Sequence, residues 1–298
     1  MSLRIFYHPH YSALTLPERH RFPLAKYQAL FERLVALDYP LAQAAPASRE
    51  QIEKVHDAAY VQAALAGTLD EGAIRRLGFP WSPLLIERTL HSVGATLAAS
   101  RHALAQGCGL QISGGYHHAH RGFGSGFCLF NDLVIAARTC LDEGLCERVL
   151  IVDLDVHQGD GSAALCTGSR DIITLSLHGE HNFPHHKPAS HLDFPLPSGM
   201  EDDAYLETLD QALALAHRLY APDFILYQAG VDVHRDDELG YLSLSDSGVR
   251  QRDAMVFDSA LRHGLPITAV PGGGYRRDWQ QLIPLHLSLF EEAKKRYG

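Results

Sequence analysis

The chain has 298 residues, 46% of them hydrophobic, enough to bury one sizeable core, so a single domain over 1-298 is expected. A formal charge of -9 and a pI near 6.1 exclude the basic face of a nucleic-acid binder and suit a cationic partner better. Five scattered cysteines without a C-x-x-C pair argue against a disulfide framework or a thiolate zinc site, and neither a signal-peptide core nor a run of about 18 apolar residues occurs, so a soluble cytoplasmic protein with no membrane partner is expected.

In chain order, a short apolar run near 3-7 reads as a first strand, and apolar residues at three- and four-residue spacing predict helices over 23-37 and 51-67. The Pro-bearing stretch 78-83 reads as a loop, followed by a helix over 84-106 and a strand over 109-112. A helix over 129-143 leads into strands near 149-155 and 171-177. Helices over 203-221, 246-263 and 278-296 then alternate with strands near 224-229 and 266-270. Strand, helix, strand in this order predicts an α/β fold: one mostly parallel sheet with helices on both faces. Ligands of such sheets bind beyond the carboxyl ends of the strands, and four strand ends carry the unusual residues.

The strand at 149-155 runs into Asp153-Leu-Asp-Val-His157-Gln-Gly-Asp160, and residues two apart on a strand share a face about 7 Å apart. Two carboxylates and an imidazole aimed at one dry place need a compensating cation. Asp155 and His157 together with Asp232, at the end of another strand, form a plausible three-ligand set that leaves positions for water and substrate, as a catalytic zinc does. His117-His118, in the Gly-flanked run Ser113 to His120, offers two imidazoles for proton transfer, and Asp153 and Asp160 are carboxylates able to orient them. Tyr275 after three glycines is a phenol that could donate to a developing oxyanion. The His-rich stretch from His178 to His191 reads as a rim loop of solvated histidines, with a metal-scavenging loop as the alternative.

With these motifs the chain resembles the histone deacetylase family of zinc-dependent amidohydrolases, within the arginase/deacetylase fold. The matching segments are Gly114-Gly-Tyr-His-His-Ala119, Gly126-Phe-Cys-Leu-Phe-Asn-Asp132, Asp153 to Asp160, Ala229-Gly-Val-Asp232 and Gly272-Gly-Gly-Tyr275, in the family's order and spacing. The His157-Gln158 pair and the segment 192-203 resemble the class IV branch and its bacterial relatives. The resemblance implies zinc, with iron(II) as the alternative metal, on Asp155, His157 and Asp232. It implies His118 as general base and then acid, His117 as its partner, Tyr275 polarising the carbonyl, and Asp153 and Asp160 pairing with His117 and His118. It further implies a structural potassium ion near Asp153, Asp155, His157, Ser176 and Leu177, and substrate contacts from Gly126, Phe127, Phe183 and Gly273. The expected substrate is an acylated lysine peptide or another small acylated amine, acetylpolyamines included. Two rivals are a binuclear manganese ureohydrolase, suggested by Asp232-Val-His234, and a non-catalytic binder of acylated lysine.

Overall fold

The computed structural model describes residues 2–298. Among these, eight strands form one sheet: β1 (Ser2–Phe6), β2 (Leu41–Ala42), β3 (Gly107–Gln111), β4 (Val149–Asp153), β5 (Ile172–Gly179), β6 (Leu192–Leu196), β7 (Phe224–Gln228) and β8 (Ile267–Val270). They lie in the order β2-β1-β3-β8-β7-β4-β5-β6 and every pairing is parallel. The central strands are apolar along their whole length, because helices cover both faces: all five residues of β4 and of β7 are buried. Each buried Val, Leu or Ile contributes roughly 1.5–3 kcal/mol.

The helices are α1 (Lys26–Ala36), α2 (Arg49–Glu53), α3 (Ala58–Ala66), α4 (Glu71–Leu77), α5 (Pro83–Gln106), α6 (Asp132–Asp142), α7 (Asp160–Leu165), α8 (Asp202–Tyr220), α9 (Asp246–Arg262) and α10 (Leu282–Tyr297). Among the described residues no helix is long and apolar enough to cross a membrane. The helix expected over 51-67 is two helices. Ser48 and Gln51 close a capping box at the start of α2, and the break before α3 lets His56 reach two other segments. Its Nδ1 lies 2.8 Å from the His120 carbonyl, and its Nε2 accepts from the Asn131 amide at 2.9 Å. The last helix starts only at Leu282, after a 3-10 turn at Trp279–Gln281. Two strands and two short helices went unread: β2 and α7 are too short for periodicity, α4 spans only seven residues, and β6 contains Pro195, which is tolerated because β6 is an edge strand.

The topology fixes where a ligand can lie. From β4 the chain moves outward to β5, whereas from β7 it moves the other way to β8, so these two neighbours leave a crevice beyond their carboxyl ends. Asp153 at the end of β4 is in register with Gln228 on one side and Ser176 on the other.

One buried cation braces that crevice. Arg252 on α9 is fully buried and pairs with Asp253 at 2.8 Å. Its remaining donors reach the carbonyls of Leu154 (3.3 Å), Ala229 (3.1 Å) and Gly230, which belong to the two segments that continue β4 and β7. The Arg252→Met variant leaves the buried Asp253 without its cation, with only the Tyr227 and Ser288 hydroxyls donating to it, and is expected to cost about 3–5 kcal/mol. Urea denaturation measures it; an unchanged midpoint would show that the brace is dispensable.

Candidate active site

β4 ends at Asp153, two residues earlier than the apolar pattern suggested, so Asp155 and His157 lie in the bend beyond the strand rather than on its face. The bend turns both toward Asp232, which follows β7. One ligand atom from each of the three lies within 4.8 Å of the others, and all three residues are buried. His157 Nδ1 stands 3.0 Å from Asp155 Oδ1 and 3.1 Å from Asp232 Oδ2. Further donors hold the carboxylates: Gln228 Nε2 (2.8 Å) and the Gly273 amide (2.9 Å) both donate to Asp155 Oδ2, and the Val156 amide donates to Asp232 Oδ1 (2.9 Å).

The electrostatics of this trio call for a cation. Burial and the facing Asp155 carboxylate push Asp232 up, whereas His117 and His157 outweigh burial and hold Asp155 well below its ordinary value. Burial opposes a charge on His157, yet the two carboxylates push it up to about 10. Two carboxylates and one ring thus share a proton that a divalent ion can replace, and oxygen and imidazole donors suit such an ion. Gly273 also fits: a Cβ there would lie 2.2 Å from Asp232 Oδ2 and 2.6 Å from Asp155 Oδ2. Gly273→Ala is therefore expected to lower metal content well below that of the unaltered chain, read by mass spectrometry of the desalted protein; equal content would free that position from any role in shaping the cup.

Beside the trio sit the two histidines of the Gly-rich loop, both buried. His117 Nδ1 is 2.7 Å from Asp153 Oδ2, and His118 Nδ1 is 2.6 Å from Asp160 Oδ1, with His120 on the other oxygen of Asp160 at 3.1 Å. The two rings are driven apart. Burial disfavours a charge on either, but Asp153 and Asp155 outweigh it at His117 and push that ring up to about 9. At His118, burial and the neighbouring His117 prevail over Asp160 and push the ring down to about 4. Asp132 holds the loop itself, accepting from the amides of Gly115 (3.2 Å) and Tyr116 (2.8 Å) and from the Thr96 hydroxyl (2.6 Å). Gly126, with φ +53°, lets this wall close on His118, since a Cβ would lie 2.7 Å from its ring.

A cleft of about 560 Å³ opens over these groups and is lined by His118, Gly126, Phe127, His157, Phe183 and Tyr275 among others. The Phe183 ring stands edge-on to His118 at 5.0 Å, and the Tyr275 ring edge-on to His157 at 6.1 Å. Phe127 has φ +67°, a conformation costly for a bulky residue, and its ring lies 6.0 Å from that of Tyr275. Burial, then Asp155 and Asp232, push the Tyr275 phenol well above its ordinary value, so it stays a donor. Asp237 fixes its backbone, accepting from the Tyr275 amide at 2.7 Å. Gly273 lies against the ligand carboxylates instead of in the cleft wall. Ser176 and Leu177 are buried on β5, where Ser176 faces Asp153.

Several contributors were not foreseen. Lys26, buried at the start of α1, lies 3.2 Å from the Gly272 carbonyl and 3.2 Å from His286 Nε2; burial pushes it down to about 8 against the pull of Asp232 and Asp155. Nothing in its local sequence separates it from a surface lysine. Gln228 and Asp132 stand inside segments already singled out: Gln228 ends β7, and Asp132 closes the Gly126–Asp132 motif as the first residue of α6. His234 turns away from the trio to Asp246 (2.8 Å), and among the described residues only Asp155, His157 and Asp232 gather here as ligands, which leaves the two-metal rival without a second set. The His-rich stretch is not simply solvated: His178 is buried against Ser176 Oγ (2.9 Å), His191 pairs with Thr174 Oγ1 (3.1 Å), and His181 and His185 line the cleft.

Known proteins resemble this chain in sequence and in fold. A model of the histone deacetylase domain matches residues 20–287. The chain is 41% identical over 301 residues to an uncharacterized protein of Picosynechococcus sp. (strain PCC 7002), covering 100% of both chains. It is 30% identical over 305 residues to acetoin utilization protein AcuC of Bacillus subtilis, covering 93% of this chain and 78% of that one. The crystal structure of an HDAC homolog from Aquifex aeolicus shares the fold, with a TM-score of 0.84 at 21% identity over 99% of this chain and 84% of that one. A domain match over nearly the whole sheet, joined to buried histidine–carboxylate pairs beside a three-ligand cup, makes this chain a member of the histone deacetylase family, hydrolases that act on amide bonds.

Proposed function

We propose that the chain is a zinc-dependent deacylase that removes the acyl group from an acylated amine such as N-acyl-lysine, with iron(II) as the alternative metal. The observation that carries this is the pair of carboxylate-held histidines, pushed in opposite directions, of which His118 lines the cleft together with His157 and Tyr275 and His117 lies buried behind it. Asp155, His157 and Asp232 would hold the metal, which when bound polarises the amide carbonyl and acidifies water. Each remaining part belongs to the chain. His118, neutral at pH 7 and with Nδ1 fixed by Asp160, accepts a proton at Nε2 and returns it to the departing amine. His117, kept charged by Asp153 and Asp155, favours negative charge developing beside it. The Tyr275 hydroxyl donates to the oxyanion, and Phe127 and Phe183 flank an aliphatic stem and keep water out.

Potassium near Asp153, Asp155, His157, Ser176 and Leu177 belongs to the same proposal, supported by the register of Asp153 against Ser176. The cytoplasm is the proposed location, since all five cysteines are unpaired thiols.

The decisive experiment strips the protein with a chelator and assays lysine peptides bearing acetyl to myristoyl groups alongside acetylpolyamines. Hydrolysis is expected to fall to background and to return with zinc or iron(II). Full turnover by the stripped protein would overturn the metal-dependent reading, and the best substrate in the panel names the acyl class.

A further inference from the structure

A second cluster of imidazoles sits at the other end of the same rim, sharing no residue with the site above. His8 and His10 follow the end of β1. His8 caps a short 3-10 turn over Pro9–Ser12, its Nδ1 accepting from the His10 amide at 3.3 Å and leaving Nε2 available. His10 lies within the turn, and His91 lies on α5 one helical turn after Glu87. Thus a histidine pair two residues apart meets a Glu and a His four apart on one helix face, two local spacings that each bring ligands together. The His8 and His91 rings stack with centroids 3.5 Å apart and planes 9° from parallel. His10 meets both nearly edge-on, at 4.6 Å and 5.5 Å. One ring nitrogen from each of the three lies within 4.8 Å of the others.

Two ring nitrogens of the cluster are unspent. Nδ1 of His10 and Nδ1 of His91 are buried atoms with no hydrogen-bond partner, a condition that costs free energy unless something binds there. Glu87 Oε2 lies 3.6 Å from His10 Nδ1, too long for a hydrogen bond, and stands outside the three-ring group, so this exposed side chain must swing in to act as a fourth ligand. The rings themselves are only half-buried, so an ion can enter from solvent and the side chains can adjust.

We propose that His8, His10 and His91, with Glu87 as fourth ligand, form a second divalent-metal site of the structural kind. The donor set selects ions that favour imidazole, zinc foremost with nickel and copper as competitors, over magnesium or calcium. Tetrahedral zinc at 2.0–2.1 Å from each nitrogen sets neighbouring donors about 3.4 Å apart, so loading requires the stacked His8 and His91 rings to turn until their in-plane lone pairs converge, a movement that half-buried side chains allow. Four protein ligands leave no place for a substrate; the ion fastens the turn after β1 to α5. Continuing from that turn, the Tyr11 carbonyl accepts from Arg88 Nε (3.1 Å), and Arg88 donates to the Tyr116 hydroxyl (3.2 Å) next to His117, so the fastened turn supports the loop that carries the paired histidines.

The test is a difference in metal content. The full chain is stripped with a chelator, reloaded with zinc, desalted and analysed by mass spectrometry, beside His91→Ala, His10→Gln and Asp232→Asn. His91→Ala and His10→Gln are each expected to hold one zinc fewer than the unaltered chain, while the Asp232→Asn chain keeps that zinc and shows an X-ray absorption shell containing imidazole. Addition of zinc raises the Tm of Asp232→Asn but not of the double variant Asp232→Asn/His91→Ala. Because only differences are read, the result does not depend on whether Asp155, His157 and Asp232 are loaded. Equal zinc content in the unaltered chain, His91→Ala and His10→Gln overturns the proposal, as does a shell of oxygen alone in Asp232→Asn. The two single variants stand on different elements, so a folding defect in one leaves the other to decide.

Discussion

Replacing His118 with Gln is expected to lower kcat by roughly 10²- to 10⁴-fold, the range that a positioned acid–base group supplies. The geometry makes the ring specific to that task. Asp160 occupies Nδ1 at 2.6 Å, so proton traffic falls to Nε2, and burial together with the charged His117 keeps the ring neutral at working pH. A group needed in its unprotonated form shows itself as a loss of kcat/KM when pH falls through its pKa, and that acidic limb should vanish with the ring. Glutamine preserves much of the volume against Gly126 and Phe183. Rates on the best acyl-amide across pH 4–10 therefore separate lost chemistry from lost packing. Unchanged kcat with an unchanged acidic limb would take His118 out of the scheme.

Tyr275→Phe is the second large effect, a fall in kcat of roughly 10²- to 10³-fold, by analogy with the removal of one oxyanion donor. Only the hydroxyl goes. The ring still meets Phe127 and His157, and the backbone amide still donates to Asp237, so thermal stability and metal content should be retained. Full activity in Tyr275→Phe would leave the carbonyl to other donors, whereas a fall in Tm matching the fall in rate would make the phenol a packing element.

The site was legible to the extent that chemistry is written in consecutive residues. Asp155-Val-His157 after an apolar run, and Asp232 after another, announced two strand ends, and the parallel sheet brings those ends side by side. The pairing of His117 with Asp153 and of His118 with Asp160 rested on resemblance, since nothing in spacing alone says which ring faces which carboxylate across about 40 residues of chain. Periodicity failed where a local preference yields to a distant contact. The interruption between α2 and α3 exists so that His56 can serve His120 and Asn131, and Lys26 looks like an ordinary helix-start lysine until the fold buries it near Asp232. β4 stopped short because Asp153 turns to His117 and leaves Asp155 to a bend, an outcome that side-chain alternation has no means to express. Edge strand β6, with Pro195 and only partial burial, lacks the apolar run that marked its neighbours.

Arg252 has a consequence for how the protein matures. One guanidinium grips the peptide carbonyls at residue 154 and at residues 229 and 230, and its charge is met by Asp253 rather than by the ligand carboxylates. The segments that carry Asp155 and Asp232 are thereby held in shape by the polypeptide itself. With the proposed ion on Asp155, His157 and Asp232, folding is expected to precede its uptake: the chelator-stripped protein should keep a cooperative thermal transition and refill when metal is added back, and a chain that unfolds on stripping would show that the ion, not Arg252, holds the segments together.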